Sequence, residues 1–330
     1  MNGAEWLARA LAGAGTTHVF FVESVLRRTL LQLTDLGVTP ILAHSEKAAA
    51  YTADGYARIA GRPGVCMAQA VGAANLASGL QDPFLGRSPV VALTGRKPPS
   101  FQHRNAYQEI PHAPLFAAVT KFSTTVDQTF ELPRLLRHAW RAALAETPRP
   151  THLDFSGLQG DEIELGQTAE PPFIDPEERR IPAHRPVADT ADIERAAAAL
   201  SAARRIAIVA GDGAAASQAG PEVLALAEAL QAPVATTLGA RGLIPTRHRL
   251  SVGVAGSYSA PPANRIVHGA DLVLFIGCDT GDQVTLNWTV PPHDTKIVQI
   301  DADPLEIGRS SRTRRVLSAT RKRRWFTSTR

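Results

Sequence analysis

Residues 44–95 read HSEKAAAYTADGYARIAGRPGVCMAQAVGAANLASGLQDPFLGRSPVVALTG. A helix is predicted over Glu46–Ala60, stopped by Gly61 and Pro63. Glycine tolerates the left-handed backbone of a helix end, and proline cannot continue the hydrogen-bond ladder. Val65–Ala70 (VCMAQA) is a strand, Gly72 to about Gln81 an Ala-rich helix, and Val90–Thr94 (VVALT) a second strand. Both strands are apolar on successive residues rather than alternate ones. Such strands are buried on both faces, as in a parallel sheet sandwiched between helices.

The same alternation extends outward. Upstream, Ala4–Leu11 reads as an amphipathic helix closed by Gly13 and Gly15, His18–Val22 as a buried strand, Val25–Leu36 as a helix, and Ile41–Ala43 as a short strand. Downstream, Glu131–Glu146 is a long helix and Thr151–Phe155 a closing strand. From Gln159 to Val187 the pattern fails among Pro171, Pro172, Pro176, Pro182 and Pro186, which predicts a linker. A second unit then starts, with a helix over Ile193–Ala203 preceded by Thr190 as N-cap. It continues with strand Ile206–Ala210, helix Pro221–Leu230, and strands Val234–Thr237, Leu272–Ile276 and Ile297–Ile300. The expected fold is α/β: two doubly wound parallel-sheet domains over 1–160 and 188–308, a linker over 161–187 and a tail over 309–330 outside the fold.

The 330 residues are 44% apolar and 20% charged, as in ordinary globular proteins. No apolar run approaches the roughly 18 residues that span a bilayer, and the start shows no secretory pattern, so no membrane partner is expected. Cys66 and Cys278 lie in apolar runs, which argues against a disulfide framework or a cysteine-bound metal and suits the cytoplasm. The formal charge of +4 suggests nucleic acid, but nine Lys and Arg fall within residues 309–330, which hold no acid. Without them residues 1–308 carry −5, and nucleic acid ceases to be an expected partner.

Glu46 stands where a strand gives way to a helix, at the carboxyl edge where open α/β sheets bind ligands. The small residues after it allow close packing, and an enclosed carboxyl group there could hold or pass a proton near neutrality. Taken alone, the position equally suits an acid that merely complements the helix dipole.

Resemblance favours the functional reading. Glu46, Asp54-Gly55-Tyr56-Ala57-Arg58, Gly61 with Pro63-Gly64-Val65, Gly72 with Asn75 and Leu76, Asp82 before Ser88-Pro89-Val90, Gly95, Tyr107-Gln108-Glu109 and Thr120-Lys121 follow one family's order. They resemble the pyrimidine-binding domain of the thiamine-diphosphate enzymes of the acetolactate synthase, pyruvate oxidase and benzoylformate decarboxylase superfamily. The resemblance implies thiamine diphosphate with Mg²⁺ as cofactor and a 2-keto acid as substrate. It further implies a carboligase or decarboxylase reaction and a homo-oligomer formed through this domain. By the same resemblance, Glu46 hydrogen-bonds the cofactor's aminopyrimidine and drives its activation, Gly72 and Asn75 line the cofactor site, and Gln108 lines the substrate side. Two departures stand out. Ser45 separates His44 from Glu46, and the family's Gly-Pro-Gly turn reads Ala70-Val71-Gly72. His103 and His112, in the polar loop around Gln108, are expected to face solvent.

In the second domain Gly211-Asp212-Gly213 follows a strand, near the dinucleotide fingerprint. The next strand ends in Thr237 and Leu238 with no acid for an NAD ribose, and no Asn pair follows to complete a diphosphate and Mg²⁺ motif. From about Arg185 to Gly308 the sequence resembles the superfamily's central domain, which in acetolactate synthases cradles FAD. Gly211, Gly213, Thr237, Leu238 and Asp301 occupy the corresponding positions, but Asp279 and Gln283 stand where those synthases place arginines, which weighs against FAD. The superfamily's diphosphate-binding domain has no counterpart in the sequence. The resemblance is read as ending at Gly308, with the basic tail as the product of a frameshift or truncation. The corresponding expectation is a partial enzyme, the alternative being a non-catalytic scaffold that needs a separate diphosphate-domain chain.

Overall fold

The computed structural model describes residues 1–22, 25–157, 159–183, 185–259, 261–310 and 317–318. It divides into two compact units at Ala183/His184.

The first unit runs α1 (Gly3–Gly13), β1 (His18–Phe21), α2 (Arg27–Asp35), β2 (Thr39–Leu42), α3 (Glu46–Ala60), β3 (Gly64–Ala68), α4 (Gly72–Leu85), β4 (Val90–Gly95), α5 (His112–Ala117), β5 (Phe122–Val126), α6 (Leu132–Leu144), β6 (Thr151–Phe155) and α7 (Asp161–Leu165). Its strands are all parallel, in the order β2-β1-β3-β4-β6-β5. The chain reverses direction across the sheet between β1 and β3, the switch point at which such folds open a crevice. One face of the sheet packs Trp6, Leu7, Leu11, Leu136, Trp140 and Phe155. The other packs Phe20, Ala49, Ala50, Ala53, Leu76 and Leu80. The small residues of α3 and α4 in this second cluster let the two helices lie close together.

Helix α5 and strand β5 have no clear sequence signal. Phe122–Val126 (FSTTV) is an edge strand whose first four residues are not fully buried, so burial never selected an apolar run there. The proline-rich stretch expected to be linker is, from 161 to 183, laid along the first unit. Trp6 Nε1 donates to the Glu170 carbonyl at 2.7 Å, Trp140 Nε1 to that of Glu178 at 2.8 Å, and the Ile181 amide to that of Gly61 at 3.0 Å. Prolines cannot donate in a ladder, so side-chain N–H groups and the buried Ile174 and Ala183 anchor this stretch instead.

The second unit contains α8 (Thr190–Ser201), β7 (Ile206–Ala210), α9 (Asp212–Ala216), α10 (Gly220–Leu230), β8 (Val234–Thr236), β9 (Ser251–Val254), α11 (Pro261–Gly269), β10 (Leu272–Ile276), α12 (Asp282–Thr285), β11 (Lys296–Asp301) and β12 (Leu317–Ser318). The order β12-β11-β10-β7-β8-β9 is that of a doubly wound dinucleotide-type sheet, again all parallel. Asp189, not Thr190, caps α8: its carboxylate accepts the Ala191 amide at 2.8 Å, and Thr190 is already helical. Strand β12 lies inside the stretch assigned to the tail, where Leu317 and Ser318 pair with Ile300 and Asp301. The remainder of that tail beyond Ser310 falls outside the described residues.

Candidate functional site

Glu46 is the first residue of α3, after Ser45, whose hydroxyl accepts the Ala48 amide at 3.2 Å and so caps the helix. The inserted serine that separates His44 from Glu46 therefore has a structural task of its own. The Glu46 carboxylate is half-buried and faces the start of α4. Asn75 Nδ2 donates to its Oε2 at 2.7 Å, and at Gly72 an added Cβ would stand 2.6 Å from its Oε1. The carboxylate occupies the space that a side chain at 72 would take. Glu46, Gly72 and Asn75, separated by up to 29 positions, thus form one cluster at the carboxyl edge of the first sheet. A carboxylate steadied on one oxygen by an amide keeps its other oxygen to accept from an N–H donor.

Gln108 lies in the loop between β4 and α5, with a left-handed backbone (φ 61°), and its Nε2 donates to the Tyr107 hydroxyl at 3.5 Å. No hydrogen bond joins it to Glu46 among those described. Other matched residues are structural. Arg58 grips Asp54 through two bonds of 2.8 and 3.0 Å, and Lys121 Nζ donates to the carbonyls of Ala145 and Thr147 at the end of α6.

His112 is buried, contrary to the expected solvent exposure. Its Nδ1 lies 2.9 Å from Asp154 Oδ1 and its Nε2 lies 2.9 Å from the Ala70 carbonyl, in the turn that leads into α4. Thr94 Oγ1 donates to the same Asp154 oxygen at 2.7 Å and lies 2.7 Å from His152 Nε2. Ser123 Oγ is 2.8 Å from His152 Nδ1, and the Phe116 ring stacks on that imidazole at 3.5 Å. Burial pushes the pKa of His152 down to about 3, against the pull of the Asp154 carboxylate and with a smaller contribution from His112. The sequence signals for this set are slight, since Asp154 and His152 alternate with apolar residues in what reads as an ordinary strand.

The second domain's glycines are occupied by their own fold. The Gly211 amide donates to the Ile276 carbonyl at 2.8 Å and the Gly213 amide to that of Gly277 at 2.9 Å. A Cβ at Gly211 would stand 2.2 Å from the Gly277 oxygen. Thr237 Oγ1 donates to Asp212 Oδ1 at 2.5 Å, Leu238 is exposed, and Asp301 Oδ1 accepts the Asp303 amide at 3.0 Å. A dinucleotide diphosphate needs free N–H groups at this turn. Here those two amides are spent within the domain and a carboxylate stands beside them, so neither is free to receive a diphosphate at this turn.

Comparison with known proteins places the chain in a class. The model described as thiamine pyrophosphate enzyme, N-terminal TPP binding domain, matches residues 1–115, and that described as thiamine pyrophosphate enzyme, central domain, matches residues 193–320. The chain belongs to the thiamine pyrophosphate enzyme family, of which it carries these two domains. It is 34% identical over 317 residues to the probable acetolactate synthase large subunit of Methanocaldococcus jannaschii, covering 94% of this chain and 53% of the relative. It is 32% identical over 313 residues to the acetolactate synthase isozyme 2 large subunit of Escherichia coli, covering 94% and 55%. The chain spans about half the length of the curated relatives it matches. The central-domain match runs twelve residues past Gly308, which corrects the reading that the resemblance stops there. No helix among the described residues is long and apolar enough to cross a membrane.

Proposed function

We propose that this chain provides the pyrimidine-binding half of a thiamine-diphosphate site that acts on 2-keto acids as a carboligase or decarboxylase. The observation that carries this reading is the contact of Glu46 with Asn75, its carboxylate filling the side-chain space left by Gly72. When bound, the cofactor supplies a carbon nucleophile for the keto carbon. The chain's own part is to hold and move a proton at the Glu46 carboxylate, with Asn75 fixing the angle of that carboxylate. Gln108, in the loop at the same sheet edge, is assigned to the substrate side, and α3 and α4 exclude water from behind the carboxylate.

Mg²⁺ and the diphosphate need oxygen ligands. Among the described residues no group of three or more His, Cys, Asp or Glu side chains could hold a metal ion. We assign the diphosphate end to a separate domain or partner chain, and weak cofactor binding to the unaided chain, because no Asn pair follows Gly211-Asp212-Gly213 in the sequence. The exposed Tyr51 and Ile59 on α3 and Leu85 on α4 suit a self-associating face. Cys66 and Cys278 are buried free thiols, and the compartment proposed from their place in apolar runs is the cytoplasm.

Calorimetry with thiamine diphosphate and Mg²⁺ tests the split site. Binding weaker than micromolar is expected, and micromolar binding by this chain alone contradicts it. In an assembly completed by a diphosphate-binding domain, Glu46→Gln should lower turnover of a 2-keto acid by about 10²-fold or more. Retained turnover removes Glu46 from the mechanism.

A further inference from the structure

Beneath the Ala70–Gly72 turn lies a buried polar chain for which the proposed chemistry has no use: Ser123, His152, Thr94, Asp154 and His112. Its protons can be placed by elimination. The Ala70 oxygen is a carbonyl and only accepts, so Nε2 of His112 carries hydrogen. Asp154 Oδ1 receives the Thr94 hydroxyl, and its Oδ2 lies 3.8 Å from Arg96 Nε, so the carboxylate is the acceptor in this chain. Nδ1 of His112 therefore donates as well. With its hydrogen turned to Asp154, Thr94 Oγ1 accepts from Nε2 of a neutral His152, whose Nδ1 accepts the Ser123 hydroxyl. Every donor along Ser123, His152 and Thr94 runs toward Asp154, and His112 closes the chain from the other side.

We propose that His112 is a positioning residue: an imidazolium pinned by Asp154, it grips the Ala70 carbonyl and fixes the turn whose Gly72 and Asn75 seat Glu46. The charged and titratable groups around it are Asp154 and His152 on β6, Arg96 just after β4, and Asp127 just after β5, which pairs with Arg96. The Phe116 ring meets it edge-on from its own helix at 6.4 Å. The use made of the turn rests on the proposed function, whereas the protonation state and the grip do not.

The test is nuclear magnetic resonance on the ¹⁵N-histidine-labelled full chain, with His112 assigned by its loss in His112→Gln. Both ring nitrogens of His112 should carry hydrogen at pH 7, and the Ala73 and Ala74 amides should shift when the ring is removed in His112→Gln. Asp154→Asn should leave a neutral ring at pH 7. In His112→Gln, exchange of the Ala73 amide, which bonds the Gln69 and Ala70 carbonyls, should quicken by about tenfold to a hundredfold. Exchange in β3 and β4 should stay within about threefold.

An unprotonated ring nitrogen in wild-type His112 at pH 7 overturns the proposal, and this needs no variant to fold. So does Ala73 exchange that is unchanged, or that quickens equally with β3, since a merely structural role would loosen both. These readouts involve no cofactor, so a failure of the calorimetric or turnover experiments leaves them standing, and the two ideas fail separately.

Discussion

Gly72→Ala isolates the site from the fold. An alanine Cβ would sit 2.6 Å from Glu46 Oε1 and 3.0 Å from its Cδ, closer than real Cβ contacts come. Both atoms belong to the far end of a flexible side chain, so the carboxylate swings away and the backbone stays. The swing breaks the 2.7 Å bond from Asn75. A hydrogen bond to a charged group contributes about 1.5–3 kcal/mol, and the solvent exposure of this one holds it to no more than the lower figure. Gly72 begins α4, and alanine in a helix regains about 0.5–1 kcal/mol over glycine. The net cost is about 1 kcal/mol, a fall in Tm of about 2–4 °C for a domain of this size. Urea unfolding should therefore record a small loss. The side-chain amide of Asn75 should shift clearly in an NMR spectrum, and a completed assembly should lose most of its turnover. An unmoved Asn75 amide, or a loss above about 3 kcal/mol, would show that the carboxylate does not lie against Gly72 or that the backbone yields instead.

His152 makes the first domain sensitive to acid. Its pKa is depressed in the fold, so its contribution is complete above 6.5 and is lost as pH falls toward about 3. The loss runs at about 1.4 kcal/mol per pH unit, to about 5 kcal/mol in all. Denaturant midpoints that do not drop between pH 6.5 and 4.5 would contradict this. Glu164 works in the opposite sense: burial raises its pKa despite bonds from the Thr29 amide and hydroxyl, so the stability it lends is complete below 4.5 and fades as pH rises through the raised value. Glu164→Gln keeps an acceptor for Thr29, and its stability relative to wild type should improve steadily from pH 4 to 7; a constant difference tells against the raised value. Burial also pushes the Cys66 thiol far up, so a thiol reagent should modify it no faster than the protein unfolds.

Where burial is complete, the sequence pattern is decisive. VVALT and LVLFI lie within β4 and β10 because strands covered on both faces carry apolar residues at every position. The same rule explains the omissions: β5 and β9 are sheet edges with partly exposed residues, and nothing in FSTTV or SVGV demands burial. The stretch 161–183 reads as linker because its anchors are indole N–H groups supplied from Trp6 and Trp140. The site divides in a similar way. Glu46 is legible as a carboxylate at a strand-to-helix junction, whereas Gly72 and Asn75 enter the reading only through the family resemblance. His112 is illegible because its role is set by Asp154, 42 positions away, and by a carbonyl that any residue at position 70 could offer.

Gly211 and Gly213 show the converse case, in which a legible pattern admits more than one cause. Glycines after a strand indicate that something approaches the backbone closely, without saying what. In dinucleotide sites that something is a phosphate; here it is the Gly277 backbone, which takes the Gly213 amide and leaves no room for a Cβ at Gly211. A spacing motif thus reports a steric demand, and only the fate of the N–H groups separates a ligand from a neighbouring loop. The same test favours the first domain's site: the space kept open at Gly72 is filled by the end of a flexible carboxylate, a group that can turn toward a ligand as backbone cannot.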